Sequence, residues 1–210
     1  MTGRVTRSLS PEALARIAEA VGEAESRTAG EIVVMVSARA GLYRSPVLLA
    51  ALIAALAAPW PLIALTGWSA AGIALAQAAL ALAILSLGAS EALRLRLVPA
   101  RAKRARAREA ARRAFRQRGL TRTRGRTGVL IHIALAEQHA EIVADAGVLR
   151  AVAPGTWDAT IAALLVALRR DEIEAGLVGA VRSVGAILAE ACPRSAGDID
   201  ELPNRVIVSE

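Results

Sequence analysis

No Asp, Glu, Lys, Arg or His occurs between Arg44 and Glu91. The segment from Ser45 to Ser90 reads SPVLLAALIAALAAPWPLIALTGWSAAGIALAQAALALAILSLGAS. One spanning helix needs about 20 apolar residues, so the run is long enough for two. The only cluster of polar and turn-forming residues is Thr66-Gly67-Trp68-Ser69, which leaves spans at Pro46–Leu65 and Ser69–Leu87. Pro59-Trp60-Pro61 is the rival turn, but it would leave a first helix of about 14 residues, roughly 21 Å, too short to cross. The two prolines therefore read as a kink. A buried hairpin of a soluble domain is disfavoured because no residue in the run would face water favourably. A signal peptide is disfavoured because a charged, helix-like segment precedes the run and no cleavage site follows it.

Composition supports the same division. The chain is 55% hydrophobic and only 2% aromatic, yet 21% of its residues are charged, so apolar and charged residues must be segregated. That excludes a disordered chain and argues against a wholly soluble one. The single cysteine, Cys192, excludes an internal disulfide.

The flanks of the run predict its orientation. Residues 1–44 hold six Arg, and residues 91–127 hold thirteen Arg and Lys103 against Glu91 and Glu109. The connecting turn carries no charge. Positive-inside bias then puts both termini in the cytoplasm, with a very short loop outside. Trp60 and Trp68 would mark the outer aromatic belt and Tyr43 the inner one. Small residues (Ala50, Ala54 and Ala58; Gly72 and Ala76) would let the two helices approach closely, with Gln77 bonding across the hairpin.

The charged parts read as a small α/β unit. Ser10 can cap a helix opened by Pro11, with Leu14, Ile17, Ala18, Val21 and Ala24 on one face. After Thr28-Ala29-Gly30, residues Glu31 to Ala38 read as a strand. Beyond the hairpin, Pro99 opens a basic, alanine-rich helix that Gly119 ends near Arg118. Val129–Leu135 and His139–Ala144 follow as strands of an antiparallel hairpin, closing in Asp145-Ala146-Gly147. Two amphipathic helices, from Trp157 to Arg169 and from Asp171 to Ala191, must bury their stripes on that sheet. Asp198-Ile-Asp-Glu-Leu-Pro203 is then a loop before a short apolar tail.

This order of elements resembles the TPM domain family. The residues that carry the resemblance are the GEIVVMV strand, the segment RTGVLIHIALAEQHAEIVADAGV from Arg126 to Val148, the Trp-led helix, and the closing Glu201-Leu202-Pro203. More specifically, it resembles bacterial membrane proteins in which two spans are inserted after the first strand. The resemblance implies a three-layer α/β/α domain with a small mixed sheet, interrupted by the transmembrane hairpin. The divisions would be residues 1–44 (first helix and strand), 45–90 (hairpin) and 91–210 (basic helix and the rest). It also implies acid phosphatase activity or a divalent-metal site in some members. His139 stands where a bulkier residue is expected, and Cys192 where an aromatic is usual.

Few residues suggest chemistry of their own. A Gly-rich phosphate loop, Gly-x-Ser-x-Gly and His-Glu-x-x-His are all absent, and Lys103 is the only lysine. Cys192 reads as a core thiol, His132 as a buried imidazole in a strand, and His139 as a solvated turn residue. Asp145 is the best acidic candidate, because it directly follows a strand, at the end of the sheet where α/β folds place sites. Asp158 starts a helix, where an acid also stabilises the dipole. Glu31 and Glu141 lie in or beside strands, where pairing with Arg is the simpler role. Convergence of Asp145, Asp158 and Glu31 would suit Ca²⁺ or Mg²⁺, which take oxygen ligands. The Asp198–Glu201 turn lacks the glycine and terminal glutamate of a calcium loop and reads as solvated. The basic stretch has three readings: retention by positive charge, adhesion of Arg101, Lys103, Arg104 and Arg108 to anionic headgroups, or nucleic-acid binding. The last is disfavoured, since Phe115 is its only aromatic and offers no stacking platform. The sequence thus predicts a bacterial inner-membrane protein with two spans. Its partners would be lipids and an unidentified protein rather than nucleic acid. Its function would be that of a non-catalytic accessory module, with a weak metal-assisted phosphatase as the alternative.

Overall fold

In the computed structural model, residues 9–41, 44–90, 95, 98–194 and 200–209 are described. They form two compact units: residues 1–40 with 104–210, and residues 41–103.

The larger unit is built on four strands: β1 (Glu31–Ser37), β2 (Gly128–Ala134), β3 (His139–Ala144) and β4 (Val206–Ser209), in the order β3-β2-β1-β4. β1 pairs in parallel with both β2 and β4, and β2 with β3 is antiparallel, so the sheet is mixed. Every residue of β1 and β2 is buried, because both faces of the sheet are covered; a continuous apolar run rather than alternation is the signature of such strands. One face carries Ile32, Val34, Val36, Val129, Ile131 and Ile133 into the main core. That core is closed by α1 (Pro11–Glu25), α7 (Asp158–Arg169) and α8 (Ile173–Ala191). The other face carries Val33, Met35 and Leu130 against Ala114 and Phe115 of α5 (Ala100–Gln117) and against Leu120. The expected three-layer α/β/α arrangement is what forms, and the basic helix supplies the third layer.

Local chemistry sets the ends of these elements. Ser10 Oγ accepts the Ala13 N–H at 3.2 Å, so Ser10 caps α1 as its position before Pro11 predicts. Gly119, at φ 77°, takes the left-handed turn that stops α5. Asp145 does not open a simple turn, as the sequence pattern suggests. It caps a further short helix, α6 (Ala146–Ala151). β4 is the other element the pattern does not reveal.

The smaller unit is a helical hairpin. α2 (Arg44–Ala57) and α3 (Pro59–Leu65) run nearly continuously, since Ala58 between them keeps helical torsions. Pro59 and Pro61 cannot donate to the carbonyls four residues back, which interrupts the ladder without reversing the chain. The reversal lies at residues 66–69, and α4 (Ala70–Leu87) returns, with Ser69 Oγ accepting the Gly72 N–H. Val47, Ala51 and Gly88 are buried where the helices meet, and a Cβ at Gly88 would stand 2.1 Å from Val47 Cγ1. Ala50 faces outward, so it is Ala51, not Ala50, that joins Ala54 and Ala58 on the facing side. Both spans are long and apolar enough to cross a membrane, at Pro46–Leu65 and Ala70–Leu87.

Candidate functional site

The short link from α1 to β1 folds back tightly. Thr28 is 2% exposed; its hydroxyl lies 2.6 Å from the Cys192 carbonyl and 2.9 Å from that of Leu188, and it accepts the Gly30 N–H at 3.0 Å. Gly30 lets the link pass close to Leu188, whose Cδ1 would stand 2.8 Å from a Cβ placed there. This link brings Glu25, the last residue of α1, beside Glu31, the first of β1. The segment before β4 arrives from the far end of the chain. Glu31 Oε1 accepts the Glu201 N–H at 2.9 Å and Oε2 the Leu202 N–H at 3.2 Å, which seats Asp200 next to both glutamates. Carboxylate oxygens of Glu25, Glu31 and Asp200 lie within 4.8 Å of one another. They line a half-open cleft of about 80 Å³ with Gly22, Ser26, Arg194 and Asn204.

Three carboxylates at that spacing oppose one another. Glu25 is 8% exposed, and burial, with the Glu31 and Asp200 charges added, pushes its carboxyl up to about 8 against the pull of the Ile32 N–H. Burial also raises Glu31, opposed by the N–H groups of Glu201 and Leu202. Arg194 stands at the rim, where its Nη1 donates to the Ser26 carbonyl at 3.3 Å.

The residues singled out from sequence are distributed differently. Glu31 is in the cleft, held by backbone N–H groups rather than by an arginine. Asp145 and Asp158 do not join it: among the described residues the acidic group is Glu25, Glu31 and Asp200. Asp145 is 5% exposed and receives both Arg126 Nε, at 2.6 Å, and Nη2, at 3.0 Å, as well as the Ala146 N–H at 2.7 Å. Burial alone would raise its pKa, but these donors hold the carboxyl below the usual range. Asp158 is exposed at the first turn of α7. His132 is 1% exposed, with Nε2 2.9 Å from Ser37 Oγ; that hydroxyl lies 2.9 Å in turn from Ser209 Oγ. His139 is not solvated. Its ring is 12% exposed and bonds Glu141 at 3.1 Å, and Arg108 reaches the same carboxylate at 3.4 Å. Cys192 is half-buried beyond the end of α8, and burial raises its thiol.

At the hairpin, Trp60 is 77% and Trp68 55% exposed, while Tyr43 lies outside the described residues. Arg101, Arg104 and Arg108 are exposed on α5, whereas Lys103 is half-buried and donates Nζ to the Leu95 carbonyl at 3.0 Å.

Sequence reasoning missed Glu25, Asp200 and Asn204 as a group. Glu25 and Glu31 are six positions apart across a turn whose tightness rests on Thr28 and Gly30, and Asp200 is brought in by strand pairing. The one signal in the sequence was the surplus of acids in the tail after Arg194.

No curated protein matches the chain. Among solved structures, the NMR structure of the BA42 protein from the psychrophilic bacterium Bizionia argentinensis matches with a TM-score of 0.61 and 20% identity. The match covers 96% of this chain and 95% of that one, and at this identity it shows a shared fold. The family profile described as the TPM domain matches residues 76–187, more than half of the chain. With the four-stranded mixed sheet between its helical layers, this places the protein in the TPM domain family.

Proposed function

We propose that the chain is a membrane-anchored TPM domain, held in the bacterial inner membrane by its helical hairpin and serving there as a non-catalytic accessory or interaction module. The observation that carries this reading is the exposure of the hairpin. Leu56, Ile63 and Leu65 are 63%, 64% and 83% exposed, and only 11% of the first span and none of the second is buried. A core helix of a soluble domain would be covered on most sides. Each such side chain gains roughly 1.5–3 kcal/mol on leaving water, so lipid is the environment these helices fit. The basic flanks support both termini in the cytoplasm. The exposed Arg101, Arg104 and Arg108, on the helix that follows the second span, suit contact with anionic headgroups, each basic residue near such a surface contributing about 1 kcal/mol.

The non-catalytic part of the reading is supported by Asp145. The carboxylate best placed by sequence for chemistry is committed to Arg126 and to its own helix N-terminus. Reporter fusions test the anchoring. A fusion at Gly67 should be active only in the periplasm, and a C-terminal fusion only in the cytoplasm. A C-terminal fusion active only in the periplasm, or a chain released from membranes by carbonate, would overturn it.

A further inference from the structure

We infer that the second span, α4, pairs with α4 of a second copy of this chain, the two Gln77 amides bonding to each other inside the bilayer. The inference rests on the membrane-anchored reading above. Gln77 is the one side-chain amide between Ser45 and Ser90. It stands seven residues from the start of α4 and ten from its end, about 10 Å and 15 Å at 1.5 Å per residue, deep in a hydrocarbon core of roughly 30 Å. The bond that the sequence suggests across the hairpin does not form: among the described residues nothing hydrogen-bonds this amide. The facing helices explain why. From Val47 to Leu65 the only side chain able to donate or accept is the Trp60 indole, which is 77% exposed. Thr66 Oγ1, at the turn, donates to the Leu62 carbonyl. Lipid tails offer neither donor nor acceptor, so an amide left bare among them demands a partner from another molecule.

Depth and symmetry identify that partner. Copies inserted under the same charge bias run parallel, so the group certain to lie at the depth of Gln77 is Gln77 of another copy. An amide carries two donors and an acceptor, so two of them satisfy each other reciprocally. The rest of α4 is patterned for such a pair. Ala70, Ile73, Gln77, Leu80, Ile84 and Leu87 follow the alternating spacing of three and four that keeps one seam along a left-handed helix pair. Between Ile73 and Ile84 every seam position holds a long side chain. All other positions there are alanine except Leu75 and Leu82, which share the opposite side of the helix. The hairpin leaves the seam open: Leu80 and Leu87 are 40% and 60% exposed, and Ile73, Gln77 and Ile84 are half-buried. A single polar residue at a central seam position sets register and strand number, and Gln77 holds that position between Ile73 and Leu80.

The test uses the full chain reconstituted in neutral phosphatidylcholine vesicles, where headgroup charge plays no part, with carbonate washing of the same vesicles to check insertion. In a Cys192→Ser background, mild oxidation should cross-link copies carrying Leu80→Cys, on the seam, and leave copies carrying Leu82→Cys, on the opposite side, uncoupled. Single-molecule photobleaching of an end-labelled chain, over a range of protein-to-lipid ratios, gives the dimer fraction. Gln77→Leu should lower the association constant about three- to tenfold, the worth of one interhelical hydrogen bond in a bilayer. Gln77→Asn, which keeps an amide, should retain most of the association. A wild type that resists carbonate yet stays monomeric, equal association of wild type and Gln77→Leu, or equal cross-linking at both positions would overturn the pairing alone. Release of the chain by carbonate would overturn the membrane anchoring, and the pairing with it.

Discussion

Arg126 and Asp145 show how a residue chosen for chemistry can turn out to be a fastener. Arg126 adopts φ 55°, a left-handed conformation that non-glycine residues rarely hold, and its carbonyl accepts the Gly147 N–H at 2.9 Å. The two-pronged bond to Asp145 pins that strained turn against the cap of α6. The competing phosphatase reading needs Asp145 free to hold a metal. We expect the purified chain to show at most slow hydrolysis of an activated phosphate ester, unchanged in Asp145→Asn. Rapid hydrolysis abolished by that substitution and by chelator would make Asp145 a catalytic carboxylate. His132 gives a second residue-scale expectation. Burial, with His139 adding to it and Glu141 opposing, lowers its imidazole from the ordinary 6.5 to about 4. The unfolded chain therefore takes up a proton that the folded chain refuses. The associated stability is complete above pH 6.5 and falls as pH drops towards 4, at about 1.4 kcal/mol per pH unit, on the order of 3 kcal/mol in all. Side-chain NMR of the full chain should place the titration near pH 4, and a midpoint at 6 or above would contradict this.

Elements were legible from sequence to the extent that their signals were local. The caps of α1, the stop of α5 at Gly119 and the break at Pro59 all depend on neighbours a few residues away, and each stands as the pattern predicts. β4 and α6 were not legible for the opposite reason. Val206–Ser209 is too short to declare a strand by itself, and it becomes one by adding to the edge of β1 across most of the chain. α6 exists because Asp145 caps it and Gly147 fits a space no larger residue could enter. A Cβ at Gly147 would stand 2.4 Å from the Gly125 carbonyl oxygen and 2.6 Å from that of Arg126, both backbone atoms that cannot swing aside. Gly147→Ala should therefore cost about 1–3 kcal/mol or more, the range of overpacked sites. Gly179, exposed in the middle of α8, has open space where a Cβ would stand, with nothing within 4 Å. Gly179→Ala should stabilise by roughly 0.5–1 kcal/mol through helix propensity. Thermal melts of the two variants in one detergent should move in opposite directions; a Gly147→Ala variant as stable as wild type would refute the argument.

At the scale of the whole molecule, the hairpin is an insertion within one fold. β1 and β2 are parallel neighbours, so a crossover must join them, and the chain uses that crossover for both the apolar hairpin and α5. A fragment of residues 91–210 would lack β1, the strand between β2 and β4, and should not fold by itself. Lipid contact is therefore best measured on the intact chain in nanodiscs. Amide exchange over residues 100–112 should be slower with anionic than with neutral lipid, and the difference should shrink as salt screens the exposed arginines. Equal exchange in both lipids would remove headgroup binding from the proposed function.

The charge-free run, its turn at residues 66–69, the basic flanks and the residues that resemble the TPM family were determined by sequence alone, because hydropathy and turn chemistry act over short stretches of chain. The acidic cleft was decided by tertiary structure. Glu25 and Glu31 meet through the Thr28–Gly30 link, and Asp200 and Asn204 reach them because Glu31 holds the Glu201 and Leu202 N–H groups and β4 pairs with β1. A carboxylate acquires its chemistry from what surrounds it, and the surroundings of Glu25 come from parts of the chain that are close only in the fold.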